Sequence, residues 1–293
     1  MRNMLITPVL IALLGLVGCY VAPTTASDNP AAPAAALTCF RENGHAMLAA
    51  HRGGPSTGYP ENALSSLRRL ADLGVLYAEI DVRRAADGTL FLLHDDTLDR
   101  TTNGTGDLTG RTWPELATYR LRDNEGHDVE EGIPSLAQAF EVARTNGLIL
   151  NLDLKDVDAT EIVAQIREHQ ARDLVAIIAY SVEDAAALHA LDPGLVLSVP
   201  HDISALTNAG VNLATSYVWL GTGPVNPAAD AALAELGIET SAGLFRRENG
   251  GAAPYLEAKA AGIELLSIDN VEAAVAALGG SEHLRHQIAT CSP

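Results

Sequence analysis

The sequence predicts an α/β protein, a (β/α)8 TIM barrel with a hairpin-led insertion after the second strand. Three observations predict it. Short apolar runs alternate with segments of helical spacing from residue 47 nearly to the C-terminus. With one hairpin strand set aside, eight βα units occupy about 240 residues, the size of such a barrel. Charged and polar side chains also gather where the predicted strands end, which is where barrel sites are built. The alternative, an open doubly wound sheet, needs a topological switch point, and no Gly-rich phosphate loop follows the first strand.

The chain has 293 residues, 47% of them hydrophobic but only 4% aromatic, so Ala, Leu, Val and Ile must fill the layers between strands and helices. Its formal net charge is -18. No basic stripe is present to follow a nucleic-acid backbone, so nucleic acid is not an expected partner. An anionic substrate would depend on local Arg or Lys side chains or on a bound cation.

Residues 1–19 contain Arg2, an apolar stretch and Cys19, the pattern of a secretory signal peptide. Leu16-Val17-Gly18-Cys19 resembles the lipobox of bacterial lipoproteins. That resemblance implies lipidation of Cys19 and a chain exported and lipid-anchored to the bacterial cell envelope. An ordinary signal peptide cleaved elsewhere is the alternative. Residues 20–44 read as an Ala/Pro-rich tether, and 45–293 as the barrel domain. Cys39 and Cys291 form an even pair in an exported chain, and a bridge between them would tie the ends of the domain together.

The first strand, 47–51, runs into the loop Arg52-Gly53-Gly54. Leu64, Leu67, Leu70 and Ala71 share a helical face over 62–73, and Gly74 stops the helix. The second strand, 77–82, turns Glu79 and Asp81 to one face and Ala78, Ile80 and Val82 to the other. Two carboxylates aimed into one space are costly unless a cation sits there. The next strand, 89–94, follows Ala85-Ala86-Asp87-Gly88, which is too short for a crossover helix and reads as a hairpin turn. It opens an insertion at about 85–132, with one helical turn near Pro114-Glu115-Leu116; long excursions are usually functional. Alternation then resumes with a helix over 135–144, capped by Ser135, and a strand over 148–154. Helices over 159–169, 182–191, 203–208, 227–236 and 252–261 lead in turn to strands over 174–180, 195–199, 214–220, 238–244 and 263–268. A last helix begins at Val271.

The strand ends collect His51 and Arg52, Glu79 and Asp81, His94, Asp153 and Lys155, Ser181, and Asp269. Five motifs stand in order: His51-Arg52-Gly53-Gly54; Pro60-Glu61-Asn62; Glu79-Ile80-Asp81; His94-Asp95 with Thr97-Leu98-Asp99-Arg100-Thr101-Thr102; and Ile133-Pro134-Ser135-Leu136. Together they resemble the glycerophosphodiester phosphodiesterase family over about residues 45–270. The resemblance implies a metal-dependent hydrolase that converts glycerophosphodiesters to an alcohol and glycerol 3-phosphate. It implies one divalent cation, Ca or Mg, held by Glu79, Asp81 and Asp153, and His51 and His94 as general acid and base. Oxygen ligands suit a hard cation. Arg52, Lys155 and Glu61 are the candidate substrate-binding residues, Arg52 and Lys155 by neutralising phosphoryl oxygens.

Two departures from the family pattern matter. Asp153 stands where the family usually has Glu, as it does in the related phospholipase D-type sphingomyelinases. A late W-T-x-N element reads here as Thr240-Ser241-Ala242-Gly243, which leaves the alcohol pocket without its aromatic. Two alternative functions follow. One is a phospholipase D-type enzyme acting on lysophospholipid or sphingolipid head groups in the membrane, and the other is a non-catalytic phosphodiester-binding lipoprotein. Several residues have structural readings. Asn62 would cap the first helix, Glu61 would brace Arg52, Asp95 and Arg100 would pair, and Trp113 would pack the insertion. Trp219 is a candidate to line the pocket, and Asp269 either to contact substrate or only to close the barrel.

Overall fold

The structure, a computed structural model, describes residues 32–291. The expected signal peptide, Cys19 and the start of the tether lie outside the described residues. The strands in chain order are β1 (Met47–Ala50), β2 (Tyr77–Arg84), β3 (Leu90–Leu92), β4 (Arg120–Arg122), β5 (Asp128–Gly132) and β6 (Ile149–Leu154). They continue with β7 (Val175–Ile178), β8 (Val196–Pro200), β9 (Ser216–Trp219), β10 (Glu239–Gly243) and β11 (Leu265–Ile268). Eight of them form a closed parallel barrel in the order β1-β2-β6-β7-β8-β9-β10-β11, with β11 paired back onto β1. Helices surround it, as a (β/α)8 barrel requires.

Side-chain alternation divides each strand between two environments. Leu48, Ala50, Ile80, Val82, Leu150, Leu152, Ile177, Leu197, Val199 and Leu266 face outward and pack on the helices, for example on Leu67, Leu70, Phe140, Ile162 and Ile166. The inward face changes character along its length. At the strand starts it presents Met47, Tyr77, Ile149, Val196, Tyr217 and Leu265, one apolar cluster. One pleat further on it presents Glu79, Asn151, Ser198, Trp219 and Ser267, and beyond them Asp81 and Asp153. The barrel is therefore plugged at one pole and polar at the other.

The plug corrects one expectation. Residues Ala32–Glu42, assigned to the tether by composition, form a helix. Its Leu37 and Phe40 are buried in the inward apolar cluster with Tyr77 and Tyr217. The Tyr77 hydroxyl donates to Pro33 O, and Thr38 Oγ1 donates to Glu239 Oε1 at 2.9 Å. The Cys39–Cys291 disulfide joins this helix to the C-terminal helix Ser281–Cys291 across 252 residues of sequence. That helix is separate from Val271–Ala277, and Gly279 and Gly280 make the break at φ of 103° and 87°.

The hairpin return is present. β3 pairs antiparallel with β2 in the register Val82↔Leu92 and Arg84↔Leu90, and Gly88 holds the turn at φ 88°. The segment beyond it has its own small core of Phe91, Leu93, Leu98, Leu116, Leu121 and Ile133, against which Trp113 packs. It also contains a two-stranded ribbon, β4 with β5, that alternation did not reveal because both strands are half-exposed and charged. The first helix runs Leu64–Leu73 and is entered from Ala63 with no side-chain cap. Asn62 is therefore not its cap, because its side chain is turned toward β2. Ser135 does cap Leu136–Asn146, in a reciprocal box with Gln138.

Closing so long a loop restricts the unfolded chain, so Cys291→Ser is expected to lower unfolding free energy by about 3–5 kcal/mol. Urea unfolding of wild type and variant, each with and without reductant, checks this. Reductant should destabilise the wild type and leave the variant unchanged.

Candidate functional site

The polar pole of the barrel is built around three carboxylates. In the β2–β6 register Glu79 lies beside Asn151 and Asp81 beside Asp153, so the pleat that buries Ile80 and Leu152 outward brings the acids together inward. Glu79, Asp81 and Asp153 each offer an oxygen within 4.8 Å of the others. All three are buried, at 7%, 1% and 7% exposure. Burial, and then the Asp81 carboxylate, push the Glu79 carboxyl well above its usual range, while the Arg52 N–H and Lys155 pull it down. Lys155 Nζ donates to Asp153 Oδ2 at 2.6 Å and lies 2.9 Å from Asp81 Oδ1 as an ion pair. Burial works against the charge of Lys155, and its contacts with Asp153 and Asp81 outweigh burial and raise its pKa.

These residues fit a divalent cation. Glu79 Oε1 and Asp153 Oδ1 are buried and accept no hydrogen bond, which is costly for carboxylate oxygens without a positive partner, and Asp81 Oδ1 has only the Lys155 ammonium. Three carboxylates and one ammonium leave two negative charges, which one divalent cation cancels. A second acidic group, Asp123, Glu125 and His127, differs. Asp123 accepts the backbone N–H groups of Gly58, Glu125 and His127 at 2.9–3.0 Å, so it closes the turn between β4 and β5 and braces the loop at Gly58.

Arg52 and Asn62 reach the carboxylates through unusual backbone. Both have positive φ, 51° and 58°. This aims the Arg52 N–H at Glu79 Oε2, 2.6 Å away. Asn62 Nδ2 donates to Asp81 Oδ2 at 2.7 Å, and Asp81 N donates back to Asn62 Oδ1 at 2.9 Å.

His51 stands at the end of β1 and lines the same cavity as Glu79 and Asp153. Its Nδ1 is 2.7 Å from Asp269 Oδ1 and its Nε2 is 4.0 Å from Glu79 Oε2. An ionised carboxylate only accepts, so Nδ1 carries the proton and Nε2 faces the acids. Glu248 holds the next segment by accepting from the backbone N–H groups of Asp269 and Asn270 at 2.9 and 3.1 Å. Phe245 lies against the His51 ring, with centroids 4.7 Å apart.

His94 is set from the other side. The preceding residue, Leu93, donates its N–H to Asp81 O, and Arg83 donates to His94 O from Nε and Nη2. His94 Nδ1 is 2.7 Å from Asp95 Oδ1. Arg100 then bridges Asp95 and Glu61 with two bonds to each, and Glu61 Oε2 also accepts from Arg52 at 3.3 Å. Glu61 thus braces Arg52 and Arg100 at once. The Arg100 hydrogen bond holds the Asp95 carboxyl well below its usual range against burial, and His94 adds to this.

The cavity encloses about 220 Å³, and His94, Arg52 and Glu61 do not line it. Its far wall is Tyr180, Trp219 and Phe245, and its floor is Asn151, Ser198, Tyr217, Ser241 and Ser267. Thr240 faces outward, buried against Asp230 and Glu264, so the W-T-x-N position does not reach this wall in the expected way. The aromatic wall comes from other residues. A Cβ at Gly243 would lie 2.8 Å from Trp219 and 2.9 Å from Phe245, so the glycine makes room for both rings. Tyr180, Phe245 and Glu248 were missed from sequence. Tyr180 has a usable signal in its strand-end position, beside Ser181, which caps the helix Val182–Leu191.

The Glycerophosphoryl diester phosphodiesterase family model matches residues 51–240. Human glycerophosphodiester phosphodiesterase 1 is 34% identical over 135 residues, 44% of this chain and 40% of that protein. The glycerophosphodiester phosphodiesterase of Caldanaerobacter subterraneus subsp. tengcongensis is 34% identical over 110 residues, 37% of this chain and 45% of that protein. The alignments therefore span less than half the length of these relatives. A glycerophosphoryl diester phosphodiesterase structure from Parabacteroides distasonis superposes with a TM-score of 0.72 at 26% identity, covering 85% of this chain and 87% of that one. An Oleispira antarctica phosphodiesterase, in complex with the product sn-glycerol-3-phosphate, superposes at 0.66 and 23% identity over 81% of this chain and 98% of that one.

Removing Arg100 leaves Asp95 and Glu61 without their main partner, and Arg100→Met is expected to cost roughly 1–3 kcal/mol at pH 7. A depressed folded pKa stabilises above the unfolded value of about 3.9 and ceases to do so as pH falls through the folded value. The stability gap between wild type and variant should therefore hold from pH 7 to about pH 5 and narrow as pH falls below about 4 in urea titrations.

Proposed function

We propose, because the chain belongs to the glycerophosphoryl diester phosphodiesterase family, that it hydrolyses glycerophosphodiesters to an alcohol and glycerol 3-phosphate. One observation carries the reading: three buried carboxylates, two of them with an oxygen that has no partner, converge beside a histidine whose tautomer a carboxylate fixes. Glu79, Asp81 and Asp153 would hold the cation, Ca or Mg. When bound, it would draw charge from the phosphoryl oxygens.

The protein's own groups supply the rest. Asp269 keeps His51 Nδ1 protonated, so Nε2 is the nitrogen that exchanges a proton at the cavity. Asp95 does the same for His94. One imidazole takes the proton of the attacking hydroxyl, and the other returns a proton to the leaving alkoxide. Lys155 and Arg52 add positive charge for the phosphoryl group, and Glu61 holds Arg52 in place. A second reading, action on choline-type lysophospholipid head groups, is supported by the Tyr180, Trp219 and Phe245 wall, since aromatic faces attract quaternary ammonium groups.

Export with a lipid anchor at Cys19 belongs to the same proposal. The residues Leu16 to Cys19 support it, and so does the Cys39–Cys291 bridge, which suits an oxidising compartment.

Hydrolysis of glycerophosphocholine, glycerophosphoethanolamine and lysophosphatidylcholine with added Ca or Mg tests the reading. His51→Ala and His94→Ala should each lower kcat by about 10²–10⁴-fold. Turnover that survives both substitutions would sink the mechanism. Turnover of the lysolipid alone would transfer support to the second reading.

A further inference from the structure

Each clustered carboxylate has one oxygen held by hydrogen-bond donors. Glu79 Oε2 accepts the Arg52 N–H at 2.6 Å. Asp81 Oδ2 accepts Asn62 Nδ2 at 2.7 Å. Asp153 Oδ2 accepts Lys155 Nζ at 2.6 Å and the Tyr180 hydroxyl at 2.9 Å. The opposite oxygens of Glu79 and Asp153 are buried and accept no hydrogen bond, while Asp81 Oδ1 is met by the Lys155 ammonium at 2.9 Å.

Resting on the metal-dependent reading above, we propose that these donors confine each carboxylate to a single metal-facing oxygen, and that the site thereby selects a magnesium-sized cation over calcium. Tyr180 is the specificity-determining residue. Calcium takes six to eight oxygens and gains coordination by using carboxylates through both oxygens. Magnesium takes six in octahedral geometry and is satisfied by single oxygens, waters and substrate. For any of these acids to bind through both oxygens, an oxygen already accepting a hydrogen bond must also take the cation or give that bond up.

The three restraints differ in kind. Glu79 is held by a main-chain N–H whose φ of 51° is fixed by the turn after β1. Asp81 is held by a reciprocal pair of bonds with Asn62. The first cannot let go without moving backbone, and the second is anchored by the Asp81 main-chain N–H. Asp153 is held only by two side chains, one of which, Tyr180, is 69% exposed. The shorter acid at this position is thus the one whose second oxygen can be released by substitution, and Tyr180→Phe removes one of its two donors without opening the core.

Calorimetric titration of the apo protein with Mg²⁺ and with Ca²⁺ at neutral pH, without substrate, tests the idea. The series is wild type, Tyr180→Phe and Tyr180→Phe/Lys155→Met. Wild type should bind Mg²⁺ more tightly than Ca²⁺. The ratio of the two dissociation constants should move toward Ca²⁺ in the single variant and by about tenfold in the double variant. Removing Lys155 alters the charge felt by both ions, so the ratio, rather than either affinity, is the readout. Tighter Ca²⁺ binding by wild type, or a ratio constant across the series, would overturn the proposal. If the ratio shifts as expected but no glycerophosphodiester is hydrolysed, the selectivity stands and the enzymatic reading fails.

Discussion

Mutual repulsion among Glu79, Asp81 and Asp153 is the constraint that the polar pole is arranged to answer. Acids this close and this buried cannot all ionise in a medium of low polarizability unless opposing charge is supplied. The surrounding donors supply part of it: a main-chain N–H, an amide, an ammonium and a phenol. The positive φ values of Arg52 and Asn62 make sense in this light. Each is a costly backbone state, and each points a donor at an acid.

The two histidines share a design but not a support. Both have Nδ1 on a carboxylate, which settles the tautomer and leaves the same nitrogen for chemistry. His51 depends on the barrel itself, through Asp269 after β11 and Glu248 behind it. His94 depends on the insertion, through Asp95, Arg100 and Glu61. The small core of Phe91, Leu98, Leu116 and Leu121 is what gives that second support its rigidity. A long excursion becomes part of the site because it is packed rather than loose.

The barrel and its acids were legible in the sequence for two reasons. A period of two fixes which face each strand residue takes, so Glu79 and Asp81 could be placed together, and the family resemblance added Asp153. What the sequence hid depends on tertiary context. The segment Ala32–Glu42 has the composition of a tether, and it is helical because Leu37 and Phe40 find a cavity to fill. Asn62 has the identity and position of a helix cap, but Asp81 offers it two hydrogen bonds, and they prevail. The roles of Tyr180 and Phe245 depend on side-chain directions around the mouth, which no local pattern reports.

The plugged pole has a consequence for approach. Pro33 lies under Tyr77, at the start of β2, so whatever precedes residue 32 joins the domain at the end opposite the polar mouth. The Cys39–Cys291 bridge puts the far end of the chain there as well. A domain held to a surface by its N-terminus would turn its back to that surface. Its traffic would then be with molecules diffusing in from the open side, and a lipid lying in the same surface would have to travel around the whole barrel to be met.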